Sequence, residues 1–167
     1  MRSFQVFASM PRDHAVEVMK SLAEAAPAVF AQALAAACAV MKARPVYLQR
    51  QPFEKRAEAV RRALSRVASE PVAGELLAVY FLDCRKQLLV EWLDALGLEH
   101  EDGVLSSDAP PVPPDAELGD AVKRFLEADA DPDRPLLLAA FAAQDAIEWP
   151  ALDAMVAHHS GSQPPSG

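Results

Sequence analysis

The sequence predicts an all-α fold, a compact single-domain bundle of about six to seven helices around a long central helix near 71–97. Three observations carry that expectation. The chain has no Thr, no Asn and a single isoleucine, Ile147, whereas Ala, Leu, Glu and Arg, which favour helices over strands, are abundant. Apolar residues recur at the 3–4-residue spacing of helix faces. Prolines stand where helices would begin, a position that tolerates them because the missing N–H has no intrahelical partner there. With 167 residues, half of them apolar and a quarter charged, the chain is long enough to bury a core.

Helices are expected at 12–25, 27–42, 52–69, 71–97, 115–129, 133–146 and 150–158. The first follows Pro11 and the second begins at Pro27. The segment from Ala25 to Met41, "AAPAVFAQALAAACAVM", is the most apolar window. It is Ala-dominated, carries Gln32, and falls short of the roughly 20 residues of a bilayer span, so it reads as a buried helix. Residues 44–52 read as a short connector. The helix at 52–69 is amphipathic: Phe53, Ala57, Val60, Leu64 and Val67 fall in one narrow sector, with Lys55, Arg62 and Arg66 opposite and Arg61 and Arg56 flanking the stripe.

Residues 71–97 form the expected central post. At 100° per residue Leu77, Tyr80, Phe81, Cys84, Leu88 and Trp92 make one stripe, and Leu82, Leu89, Leu93 and Leu96 make another. A helix apolar nearly all round is enclosed by others. Gly97 ends it, because glycine adopts the left-handed capping conformation cheaply. "SSDAPPVPP" (106–114) cannot hold a helix and reads as a semi-rigid spacer. Asp115 and Asp133 are expected N-caps of the two following helices, and Trp149 before Pro150 marks a break. The domain is thus drawn as 1–158. Its first part is 1–105, the connector is 106–114, and helices 115–158 pack back because about 45 residues are too few to fold alone. A disordered tail is expected over 159–167.

Charge is unevenly spread. The net value is −8, yet 42–66 holds eight basic residues against Glu54 and Glu58. That segregation is the main functional hint. The eleven arginines against five lysines fit a GC-rich genome and carry no functional weight. No signal-like or membrane-spanning segment stands out, and Cys38 and Cys84 lie inside helical patterns without metal spacing. The expected setting is therefore cytoplasmic and reduced.

Glu99, His100, Glu101 and Asp102 carry metal-ligating and acid/base groups, but consecutive residues do not naturally converge on one centre, and the simpler reading is a charged turn ending at Gly103. Asp129, Asp131 and Asp133 match the first three positions of a calcium loop. Arg134 and Ala140 then stand where that loop needs Gly and Glu. No Glu lies three residues before any histidine (His14, His100, His158, His159), against a di-iron bundle, and no glycine spacing fits a phosphate loop. Gln144, Asp145 and Glu148, together with Glu91 and Asp94, form a polar set that could rim a cleft.

The basic ridge Lys55, Arg61, Arg62 and Arg66, extended upstream by Lys42, Arg44 and Arg50, could meet phosphates or an acidic protein. Glu58 can pair with Arg62 at i,i+4. No aromatic side chains interleave with the cations of that helix face, and the acidic whole opposes general nucleic-acid binding. The leading expectation is a non-enzymatic interaction, adaptor or regulatory module, without cofactor or metal, whose partner is another protein or itself. A small metal-binding protein or enzyme using Glu99, His100, Glu101 and Asp102 is the alternative, and nucleic-acid binding through 42–66 is the third reading.

Overall fold

A computed structural model of the chain describes residues 1–161; the greater part of the expected tail, 162–167, lies outside the described residues. The fold is all-α, with one two-stranded hairpin. The helices are α1 (Ser3–Ser9), α2 (Arg12–Ala25), α3 (Pro27–Met41), α4 (Pro45–Gln49), α5 (Phe53–Leu64), α6 (Glu70–Val79), α7 (Lys86–Ala95), α8 (Asp115–Glu127), α9 (Asp133–Ala142) and α10 (Pro150–Gly161). Strands β1 (His100–Glu101) and β2 (Val104–Leu105) pair antiparallel, His100 opposite Leu105 and Glu101 opposite Val104.

The 71–97 segment is helical but is not one α-helix. α6 passes at Tyr80–Cys84 into a π-helical turn, in which the Arg85 N–H reaches back five residues to the Tyr80 carbonyl at 3.1 Å. Arg85, at φ −130° and ψ 33°, then leaves helical geometry, and α7 starts afresh. The segment is also not enclosed on every side, since Glu75, Ala78, Asp83, Lys86, Gln87 and Glu91 are exposed. The chain divides at this break into two compact units, Arg2–Arg85 and the part from Lys86 onward, which takes Met1 with it.

In the first unit α2, α3 and α5 pack on one another, and α1 lies on α5 and α6. Its core includes Phe7, Val18, Met19, Leu22, Leu64 and Leu76, all essentially without exposure. α1 was not expected from sequence. Its first two amides, Ser3 N and Phe4 N, donate to the two oxygens of Glu70, each at 2.9 Å. A carboxylate from the start of α6 thus satisfies the N-terminal donors of α1 and its helix dipole. α5 is shorter than expected: it ends at Leu64, and a 3₁₀ turn, Val67–Ser69, leads into α6.

In the second unit α8 packs on α7, α9 and α10 around aromatic rings. Trp92 lies 5.1 Å from Phe125 and 6.0 Å from Phe141, and Phe141 lies 5.7 Å from Trp149. α9 stops at Ala142, short of the expected 146, and the break before Pro150 falls as expected, with Trp149 buried in it. α10 runs through Gly161, so the expected tail does not begin at 159. Asp115 and Asp133 are first helical residues rather than N-caps; Pro114 and Pro132 occupy those positions. The turn before α9 is capped instead by Asp131, whose carboxylate accepts the Asp133 N–H at 2.9 Å.

The unit boundary also sorts the charge. Residues 2–85 hold twelve basic and eight acidic side chains, whereas residues 86–167 hold four basic and sixteen acidic. A net +4 is thereby joined to a net −12.

Candidate functional site

The basic segment is where sequence and structure meet most informatively. On α5, Lys55 and Arg62 are exposed, as is Arg66 beyond its end. Arg66 has an extended backbone (φ −99°, ψ 142°), so it does not continue the helical ridge as expected. Arg61 is committed elsewhere. Its Nε and Nη2 donate to the Glu58 carboxylate at 2.9 and 3.1 Å, and its Nη1 donates to the Phe7 carbonyl at 3.3 Å. Arg62 Nε shares the same carboxylate at 2.7 Å. Bonding to Arg61, ahead of the opposing effect of burial and the further bond to Arg62, lowers the Glu58 carboxyl from 4.5 to about 2. Arg61 therefore fastens α1 to α5, and the expected i,i+4 pair is one arm of a three-residue cluster.

The more open cationic surface lies upstream, over 41–50. α3 ends at Met41, and the following Lys42, with a left-handed backbone (φ 52°), turns the chain out. α4 follows from Pro45, anchored by Leu48 at 3% exposure. With Leu48 turned inward, this short helix leaves Val46 57% and Tyr47 63% exposed, beside Met41 at 38%. Lys42, Arg44 and Arg50 are exposed around them. Among the described residues no hydrogen bond or ion pair engages those three cationic side chains. An exposed aromatic residue, which the outer cationic face of α5 lacks, is thus present one element earlier, on α4. Tyr47 between Arg44 and Arg50 was the available signal.

The 99–102 cluster is a hairpin. Asp102 (φ 52°) and Gly103 (φ 90°) supply two consecutive positive φ angles, the geometry that Asp-Gly gives a two-residue hairpin turn. The Gly103 N–H donates to His100 Nδ1 at 3.3 Å, which places the ring hydrogen on Nε2, 3.1 Å from Asp94 Oδ1. Both ring nitrogens of His100 are engaged within the chain, and Glu99, Glu101 and Asp102 are exposed. Among the described residues no three His, Cys, Asp or Glu side chains are grouped to hold a metal ion.

The calcium-loop near-match has another use. Arg134, 5% exposed, stands where the loop needs glycine and binds Asp129 through Nε (2.8 Å) and Nη2 (2.9 Å). It also binds Glu91 through Nη1 (2.7 Å) and Nη2 (3.1 Å). Bonds to Asp129 and then Glu91 raise its already high pKa further. Glu91 and Asp94, expected at a cleft rim, are thus partners of Arg134 and His100, while Gln144, Asp145 and Glu148 are exposed in the α9–α10 loop. An open groove of about 500 Å³ lies between α8 and α10, lined by Val122, Leu126 and Met155 with Lys123, His158 and His159. No described helix is long and apolar enough to cross a membrane.

Comparison of the chain with protein-family models, curated proteins and solved structures finds no match.

Proposed function

We propose that this chain is a non-enzymatic interaction module, an adaptor or regulator, that docks an acidic protein surface through its 41–50 face. One observation carries the reading: Tyr47, Val46 and Met41 stand exposed within seven positions, in the same short segment as the exposed Lys42, Arg44 and Arg50, which have no internal partners among the described residues. Scattered exposed apolar side chains are ordinary. An aromatic, a methionine and arginines gathered on one short segment have the composition of an interface core. The cationic rim supplies steering toward carboxylates.

The expected ridge narrows accordingly. Lys55, Arg62 and Arg66 serve as flanking charge, while Arg61 is structural. Placing the photo-crosslinking residue p-benzoylphenylalanine at Tyr47 in cells tests the reading. A discrete protein adduct, lost in the Arg44→Glu/Arg50→Glu background and kept with Lys55→Glu, is the expected result. Adducts to nucleic acid alone, or none at Tyr47, would overturn it.

A further inference from the structure

We propose that the occupant of the 41–50 face is a second copy of this chain, presented by its 99–105 hairpin. The inference rests on the interaction-module reading above and names its partner. The hairpin is the counterpart in charge and in apolar content. Glu99, Glu101 and Asp102 are exposed around Val104, itself 58% exposed, with Val112 59% exposed in the following segment. Three carboxylates around a valine face three cations around a valine and a tyrosine.

Both surfaces are held in shape before they meet. The hairpin is fixed by its two left-handed turn residues and the His100 bonds; α4 is fixed by Leu48. The ordering cost of association then falls mainly on the exposed charged side chains rather than on the backbone. The Lys86–Asp102 ion pair is weak competition, because Lys86 Nζ lies 4.0 Å from a carboxylate that is 87% exposed. At long range two copies of net charge −8 repel each other, so the attraction acts locally, between the hairpin carboxylates of one copy and the cations of 41–50 of the other, within about a Debye length. The contact joins two different surfaces. It closes into a pair if each hairpin reaches the other copy's face, and propagates otherwise.

Sedimentation of the full chain over a wide concentration range tests the proposal. The wild-type mass should rise with concentration, the association weakening about tenfold from low to high salt as exposed charges are screened. Arg44→Glu/Arg50→Glu and Glu99→Lys/Glu101→Lys should each be monomeric, and an equimolar mixture of the two should associate again. Lys42 and Asp102 are left in place because their backbones are left-handed. Helical circular dichroism identical to wild type certifies each variant. A monomeric wild type, or a mixture of folded variants that stays monomeric, overturns self-docking. If Tyr47 then crosslinks a different protein, only the identity of the partner has failed; if it crosslinks nothing, the module reading fails as well.

Discussion

Arg134 and Glu91 are joined by two parallel hydrogen bonds, Nη1 to Oε1 at 2.7 Å and Nη2 to Oε2 at 3.1 Å, across 43 residues of sequence. The same guanidinium grips Asp129 and lies over the Phe125 ring, 4.6 Å from its centroid. One planar group thus ties α9 to α7 and to the loop after α8. A lysine could keep the charge but neither fork nor the stacking. Arg134→Lys should therefore destabilise the protein by about 2 kcal/mol, in the range of lost bonds to charged groups, with Glu91→Gln costing about half as much. Urea unfolding measures both. Lysine tolerated to within a few tenths of a kcal/mol would show that the clamp is dispensable.

Glu58 gives the molecule a specific acid sensitivity. Its carboxyl sits at about 2 when folded, against an ordinary 4.5. Because the folded value is the lower one, its contribution is complete above about 4.5 and is lost as the pH falls toward 2. Glu58→Gln should be less stable than wild type by roughly 1–2 kcal/mol at neutral pH, and the difference should shrink across that window. Thermal unfolding at neutral pH and near pH 3 reads this out. A constant gap would mean that the carboxylate is not what Arg61 and Arg62 stabilise.

The helices were legible where the physics is local. α2 and α3 start after Pro11 and at Pro27, and α5 and α8 show one apolar face each. What sequence could not give depended on tertiary bonds. α1 is only seven residues long and is held by Glu70, 66 and 67 positions away from the amides it caps. The 71–97 pattern is apolar on several faces because its halves serve two different cores, Ala73 to Phe81 in one and Leu88 to Leu93 in the other. That breadth looks the same as the enclosure of one continuous rod. The hairpin had a local signal, since Asp-Gly is a strong two-residue turn, but with only two residues per strand there was no alternation to support it. Arg61 shows the limit at the site. Its position beside the stripe was readable, but its bond to the Phe7 carbonyl was not.

Gly74 and Ser3 make a coupled pair. A Cβ on Gly74 would come 3.3 Å from Ser3 Oγ, a close fit, but 4.0 Å from Ser3 Cβ, an ordinary contact. Gly74 lies within α6, where alanine is favoured by about 1 kcal/mol through helix propensity. Gly74→Ala alone should be near neutral, its propensity gain offset by crowding. In the Ser3→Ala background the same change should stabilise by up to about 1 kcal/mol. A double-mutant cycle in urea isolates the coupling. Equal effects of Gly74→Ala in both backgrounds would mean that α1 and α6 move apart at no cost.

His100 should behave as a hairpin latch. Its Nδ1 accepts the Gly103 N–H and its Nε2 faces Asp94 at the end of α7, so the ring spans from helix to turn. His100→Ala should cost about 1 kcal/mol, the scale of a lost internal hydrogen bond. It should also speed exchange of the Gly103 amide more than that of amides in α7. Gly103→Ala should cost more, roughly 1–2 kcal/mol, because its φ of 90° is strained for any residue with a Cβ. If the hairpin carries association, both changes should weaken it without altering any charged residue of the prong. Zinc added to the wild type should leave its melting temperature unchanged. A rise that His100→Ala abolishes would show instead that the ring exchanges these bonds for a metal ion, and would return the 99–102 cluster to consideration as a metal site.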